Sequence, residues 1–141
     1  MKKIYRTQEE VEEDIKDGVL TIEGDVEFQC PISITASIEA EDIIAWDIKA
    51  KDITARDIDA WGIKSENVKA KEIDAWGVEV EGIVEALDIT AGDIIANDII
   101  ANNINYWAFC IAYNSIKCKN WEARRYNHKE PICLDGKLII K

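Results

Sequence analysis

The sequence has few of the residues on which catalytic and metal centres depend. Its 141 residues include one histidine, four cysteines, two prolines and one methionine. A hydrolytic triad needs a nucleophile, a base and an orienting group, and His128 lies in a basic segment that offers no such set. Its spacing to Cys118 and Cys133 matches no zinc pattern. We therefore expect no catalytic residues, no metal site, no cofactor and no enzymatic activity.

Long apolar runs and leader features are also missing. No stretch of about 18 apolar residues occurs, so the sequence predicts no membrane span. The chain start, Met1 to Arg6, runs into acidic residues rather than an apolar segment, so we predict no signal peptide and a cytoplasmic protein. The four cysteines are then expected to be free thiols, because that compartment keeps thiols reduced.

Positive charge is scarce except near the C-terminal end. The formal net charge is −11. Residues 1–42 carry 12 acids and 4 bases, residues 43–104 carry 13 and 6, and residues 105–141 carry 3 and 7. An acidic body repels nucleic acid, so we do not expect nucleic acid as a partner, although the basic tail could contact phosphate.

What the sequence does have is an isoleucine or valine at every fifth residue. That period fits neither a helix nor a plain alternating strand, whereas it fits a chain that turns a corner after each short strand, a β-solenoid. Alanine lies two residues after most of these positions and faces the same side. Aspartate, asparagine or glycine usually precedes them, which suits corners because these residues tolerate positive φ or hydrogen-bond their own backbone. The series is Ile38, Ile43, Ile48, Ile53, Ile58, Ile63, Val68, Ile73, Val78 and Ile83, then, after a one-residue insertion placed between Ile83 and Asp88, Ile89, Ile94, Ile99 and Ile104.

Tryptophan sets a longer period. Trp46, Trp61 and Trp76 are fifteen residues apart, and Trp107 is the next equivalent beyond Gly92 once the insertion is counted. Fifteen residues are three units, so the sequence predicts three-sided coils in which these side chains form one column. A four-sided coil of twenty residues is the alternative, and it would place none of these tryptophans over another.

The two ends depart from the repeat. Thr7 and Glu10 have the spacing of a capping box, and Gly18 suits the position just past a helix end, which predicts a helix at 7–17. Near the other end, Asp135-Gly136 is typical of a two-residue hairpin turn. The sequence thus predicts one all-β domain in three parts: an N-terminal cap at 1–31 with the helix and short strands, solenoid repeats at 32–118, and a basic C-terminal cap at 119–141 with a hairpin joining 132–134 to 138–140.

The units of the form Asp47-Ile48-Lys49-Ala50 resemble the pentapeptide-repeat β-helices. That resemblance implies a solenoid, which is four-sided in that family, and some of its members mimic DNA. The same units, together with the ending Phe109 to Tyr113 and Cys133 to Gly136, also look like small uncharacterised repeat proteins of gut bacteria and their phages. This second resemblance brings no known activity.

Two surfaces are candidates for binding. The column of Trp46, Trp61, Trp76 and Trp107 should project outward, because isoleucine and alanine already occupy the core positions, and outward aromatic rings can stack on sugars, bases or protein side chains. Asp59 and Asp74 occupy equivalent positions beside the column. Packing over neighbouring corners is the favoured explanation of the tryptophans, and solvated surface charge is that of the aspartates. The second candidate is a basic patch in the tail, formed by Lys119, Arg124, Arg125 and Lys129.

We therefore expect a structural or protein-interaction module with a protein partner and no membrane association. Outward Ile44, Ile95 and Ile100 enlarge the exposed apolar surface, which also permits self-association. One alternative is an acidic DNA mimic that binds a DNA-binding protein, although Lys49 and Lys64 interrupt the acidic ranks. The other alternative is a glycan-binding surface on the tryptophan column.

Overall fold

A computed structural model of the chain shows a β-solenoid of parallel, stacked strands. The structure describes residues 2–123, 130–134 and 136–140. The described elements are β1 (Lys2–Tyr5), α1 (Gln8–Glu13), β2 (Val19–Thr21), β3 (Asp25–Phe28), β4 (Ile32–Ser33), β5 (Ser37–Glu39), β6 (Asp42–Lys49), β7 (Asp52–Thr54), β8 (Asp57–Ser65), β9 (Asn67–Lys69), β10 (Glu72–Val80), β11 (Ile83–Glu85), β12 (Asp88–Ile100), β13 (Asn103–Cys118), β14 (Asn120–Ala123), β15 (Ile132–Cys133) and β16 (Lys137–Ile140).

The strands stack in three parallel ladders, and each turn of the chain visits them in the same order. In the first ladder Ile43 pairs with Ile58 and Ile58 pairs with Ile73, each step fifteen residues long. A twenty-residue coil would pair Ile43 with Ile63 instead. The second ladder repeats the same step at Ile48, Ile63 and Val78. The third ladder runs through Leu20, Ile38, Ile53, Val68, Val84, Ile99, Ile116 and Leu138, about seven turns within the described residues.

The core is a shaft lined by the residues that set the five-residue period. Ile58, Ile73 and Ile89 are each no more than 2 % exposed. The alanine two positions later in each unit is also buried or half-buried, because residues two apart on a strand face the same side. From layer to layer isoleucine stacks on isoleucine and alanine on alanine, at the spacing of paired strands, about 4.8 Å, so the shaft is filled by columns of like side chains.

The prediction that Ile83 belongs to the core is wrong. Its side chain is 42 % exposed, whereas Val84 is fully buried and pairs with Val68. The extra residue therefore lies in the corner before Ile83 and not after it. The sequence contains a signal for this placement, because Ala86 lies two residues after Val84, as alanine does in the other units. The structure buries Ala86 as well.

The corner residues act differently from the prediction. Among the described residues positive φ occurs only at Asp17, Gly18 and Gly24, and none of these belongs to the repeats. The repeat corners instead join one layer to the next through side-chain hydrogen bonds. The Asn67 amide donates to Asp52 at 3.0 Å, and the Asn103 amide donates to Asp88 at 2.6 Å. Asparagine above aspartate thus satisfies polar groups between stacked turns.

The helix α1 takes the place of a strand in the first layer. The chain enters that layer on β1 in the first ladder and leaves it on β2 in the third, so α1 stands where the second ladder would begin. The Gln8 side-chain amide donates to the carbonyl of Ser33 at 2.7 Å, and its oxygen accepts from the Ser33 N–H at 3.0 Å. Gln8 therefore covers the open edge of β4 as a peptide group of a neighbouring strand would.

The helix is shorter than the predicted span of 7–17. Thr7 caps it as expected, since its hydroxyl accepts from the Glu10 N–H at 3.2 Å. Gly18, however, does not end the helix. Asp17 and Gly18 have φ of 53° and 77°, and Lys16 and Val19 exchange backbone hydrogen bonds across them. Two consecutive positive φ values identify a two-residue turn of the I′ kind.

The prediction of a C-terminal hairpin is wrong, because the described parts of its two segments do not pair with each other. Ile132–Cys133 pairs in parallel with β13, and so does Lys137–Ile140, instead of the two pairing with each other. They lie on the second and third ladders and continue the solenoid. Continuing the ladders partly buries Leu138 on Ile116. The predicted turn residue Asp135 lies outside the described residues.

The four cysteines are free thiols of unequal accessibility. Burial, and then the neighbouring Cys118, raises the pKa of the fully buried Cys110 to about 12. Burial also raises the pKa of Cys118, and burial with Glu10 and Glu9 raises that of the half-buried Cys30. The reactive form is the thiolate, so a raised pKa lowers the reactive fraction at any given pH below it.

We expect a thiol titration to separate two groups. At pH 8 a disulfide reagent should modify Cys133 and Cys30 in the native protein, with Cys30 slower and accelerating as the pH rises. Cys110 and Cys118 should react only after unfolding in denaturant. Mass spectrometry of the modified peptides identifies the sites, and rapid native modification of Cys110 would show that the core is open.

Candidate functional site

Three tryptophans form a stacked column along one corner of the solenoid. The ring centroids of Trp46 and Trp61 are 5.9 Å apart with planes inclined by 9°, and those of Trp61 and Trp76 are 5.8 Å apart at 15°. These distances exceed the spacing of paired strands, so the rings are offset, which is the favoured arrangement for aromatic pairs. The predicted column is thus present.

The backbone explains why these rings face outward. Ala45 and Ile48 both enter the shaft, so the two residues between them must turn a corner, and Trp46 lies on the outside of it. The same holds one turn later for Trp61, between Ala60 and Ile63. The rings remain 53–63 % exposed although they cover one another.

The column is interrupted after Trp76. The next layer has Gly92 at the equivalent position, because Ala75 pairs with Ala91 and Gly77 with Asp93. A Cβ atom on Gly92 would come within 2.5 Å of the backbone oxygen of Trp76. Glycine here thus permits a close approach of two backbones, and it leaves one layer of the column without a ring. Trp76 is the most exposed of the three stacked rings, at 63 %.

A groove of about 510 Å³ runs along the column. One wall is the tryptophan column, and the floor is formed by the alanines at the corner. The other wall is the row of outward-facing side chains on the first ladder. This row includes Asp59 and Asp74, which pair directly across adjacent strands. The lining residues used below are Ile44, Asp59, Trp61, Asp74, Trp76, Thr90, Gly92 and Trp107.

The two aspartates of the groove make no ion pair with the other described residues. At the N-terminal end of the same rank Glu27 differs. The Lys2 ammonium lies 2.6 Å from its carboxylate and the Gln29 amide donates to it at 2.7 Å, and these contacts lower the pKa of Glu27. The available negative charge of the groove is therefore concentrated at Asp59 and Asp74.

The structure brings all six predicted residues of the first surface to this one groove: Trp46, Trp61, Trp76, Trp107, Asp59 and Asp74. The second surface is not assembled in the described residues. Lys119 begins the tail on a different corner, while Arg124, Arg125 and Lys129 lie outside the described residues, as does His128.

Comparisons with protein-family models, with curated proteins and with solved structures find no match to this chain. Within the described ranges, no three histidine, cysteine or acidic side chains cluster as metal ligands would. The one helix of the described residues has six residues, which is too short to cross a membrane.

The sequence places Gly92 at the tryptophan position of its layer, and the strand register agrees. One feature of the groove was not predicted from sequence, namely the direction in which the rings lean. They line the groove beside Asp59 and Asp74 and not the opposite groove of Ile48, Ile63 and Val78. No residue pattern in the sequence predicts over which groove the rings lean, because the outward-facing residues of both grooves begin one or two residues from the tryptophan corner.

Proposed function

We propose that the protein is a non-enzymatic interaction module, and that the tryptophan groove binds an extended basic segment of a partner protein. The observation that carries this proposal is a tryptophan wall that faces two unpaired aspartates, Asp59 and Asp74, across one groove. Aromatic side chains are favoured at the centres of protein interfaces, and complementary charge selects the partner.

The spacing of the acidic wall suits an extended chain. Asp59 and Asp74 lie on adjacent paired strands, about 4.8 Å apart. Side chains two apart on an extended segment face the same side and are separated by about 6.6 Å. Two lysines or arginines so placed can each reach one aspartate, while the residues between them face the tryptophan wall.

The gap at Gly92 gives the groove a place for a flat side chain. Trp76 and Trp107 lie two layers apart, about 9.6 Å at the ordinary spacing of strands. Aromatic rings favour centroid separations of about 4.5–7 Å, so one ring between them would lie within range of both. We therefore expect the bound segment to carry an aromatic residue near its basic ones.

The alternative of a glycan-binding surface has less support. Sugars stack on ring faces, and the inner faces of this column are covered by neighbouring tryptophans. Only the end faces of the column and the ring edges remain, which suits a short side chain better than a saccharide chain.

The test is a calorimetric titration of the protein with the peptide acetyl-Lys-Tyr-Lys-Tyr-Lys-amide. We expect binding with a dissociation constant of about 100 μM or lower, weakened by added salt because the charges are exposed. The double variant D59N/D74N should bind about tenfold more weakly, since each exposed charge pair contributes up to about 1 kcal/mol.

The control is E79Q, which removes another exposed carboxylate, on the second ladder 3.9 Å from Lys64, and should leave affinity unchanged. Equal binding of acetyl-Glu-Tyr-Glu-Tyr-Glu-amide would contradict the proposal. Tight binding of cellohexaose, with no binding of the basic peptide, would favour the glycan alternative instead.

A DNA mimic is the second candidate function, and one ladder favours it. Asp42, Asp57, Glu72 and Asp88 pair in succession, so four acids follow one another along a single corner. Arg56 reduces this charge, since its guanidinium donates two hydrogen bonds to Asp42, at 2.8 and 3.1 Å. A DNA gyrase supercoiling assay tests this function, and activity unaffected by excess protein would remove it.

A further inference from the structure

A second groove, on another corner of the solenoid, has the opposite charge. It has a volume of about 420 Å³ and crosses four layers between the third ladder and the following corner. We call it the lysine groove. Its layers are Lys69 to Lys71, Glu85 to Leu87, Ile100 to Asn102, and Lys117 to Lys119.

Each end of the lysine groove carries two lysines. Lys69 lies 3.9 Å from Glu85 and is partly neutralised by it, whereas Lys71, Lys117 and Lys119 make no ion pair with the other described residues. Four lysines and one glutamate give this groove a local charge of +3 on a protein whose formal net charge is −11. An anionic ligand would be drawn to this site and repelled from most of the remaining surface.

Each of the two middle layers of the groove exposes one apolar side chain beside a polar one, Leu87 beside Glu85 and Ile100 beside Asn102. Leu87 is 49 % exposed and Ile100 is 38 % exposed, and between them the floor is formed by Ala86 and Ala101. Backbone hydrogen bonds of 2.9 Å stack Leu87 on Lys71 and Asn102 on Leu87, so the layers are in register along the whole groove. A rigid floor of this kind suits a straight, extended ligand.

The spacing of the charges identifies the ligand chemistry. The lysines at the two ends are three strand spacings apart, about 14 Å. An extended peptide advances about 3.4 Å per residue, so residues i and i+4 are separated by about 13.6 Å and face the same side. Residue i+2 faces that side midway between them, where Leu87 and Ile100 lie.

We propose that the lysine groove binds an extended protein segment with acidic residues at positions i and i+4 and an apolar residue at i+2. The carboxylates pair with the lysines at the two ends, and the central side chain covers the exposed leucine and isoleucine. The two grooves lie on different corners and select partners of opposite charge, so this site is independent of the tryptophan groove.

The test uses acetyl-Glu-Ser-Leu-Ser-Glu-amide, with amide chemical shifts of the isotope-labelled protein as the readout. We expect saturable shifts at Leu87, Ile100 and their neighbours. The variant K117Q/K119Q should bind about tenfold more weakly, since it removes both cations at one end. The matched control K49Q removes an exposed lysine from the second ladder and should bind as the parent does.

Peptide variants test the spacing. Acetyl-Ser-Glu-Leu-Glu-Ser-amide has the same composition with acids only two apart and should bind several-fold more weakly. Equal binding of the two peptides would overturn the proposal, and so would shifts confined to other corners. Self-association of the protein that K117Q/K119Q abolishes would also overturn it, because the occupant would then be a second copy of the chain.

Discussion

Replacing Ile73 by alanine should lower the free energy of unfolding by ~2–5 kcal/mol. Ile73 is 2 % exposed and lies in the first ladder between Ile58 and Ile89. The shaft is closed around it by strands that are hydrogen-bonded on both edges. Because such strands cannot move inward to fill the space, most of the lost volume remains as a cavity, whose cost adds to the lost transfer free energy.

The matched control is Ile44→Ala. Ile44 lies one residue after a core isoleucine of the same ladder, but it points outward and is 45 % exposed. Its truncation should cost less than about 1 kcal/mol. Denaturant unfolding followed by far-ultraviolet circular dichroism measures both variants. A loss below about 1 kcal/mol for Ile73→Ala would show that the shaft is not packed at this layer.

Gly92→Ala should destabilise the protein by ~1–3 kcal/mol, the usual cost of overpacking. The added Cβ would meet the backbone oxygen of Trp76 at 2.5 Å, and a backbone atom held in a parallel ladder cannot rotate away as a side chain could. The two strands would have to separate locally, which weakens their hydrogen bonds.

Gly77→Ala is the control for this prediction. Gly77 is in the layer before, a Cβ atom there meets nothing within 4 Å, and its φ is not in the left-handed region. Alanine should therefore be neutral or stabilise by up to about 1 kcal/mol through the unfolded state. Thermal unfolding measures the melting temperatures of both variants, and we expect that of Gly92→Ala to be lower. Equal melting temperatures would mean that the layers can separate at Gly92 at no cost.

The main chain path was predictable because one physical signal repeats. Each unit carries a large β-branched residue and a small one two positions later, so both the strand and its inner face recur in every unit. The tryptophan period then identified residues that stack, and Trp46, Trp61 and Trp76 do stack. Repetition averages out the ambiguity of any single short strand.

The errors arose where the repeat is broken. The count of five predicts Ile83 as the core residue and places the insertion after it. The structure buries Val84 instead, together with Ala86, the alanine two residues later. The two Asp-Gly pairs show a related limit. Asp17-Gly18 forms the tight turn, and the segments that flank Asp135-Gly136 stack on β13 instead of pairing. Local turn chemistry cannot decide between a hairpin and another layer, because strand pairing is a long-range choice.

The sequence by itself determined the parallel stacking, the residues of the shaft and the aromatic column, because all three follow from spacing along the chain. Only the tertiary structure decided which neighbouring face the rings lean over, which carboxylates and lysines lack a partner, and how Gln8 closes the first layer. Those features depend on contacts between turns, where side chains from separate layers meet at distances that no local period specifies.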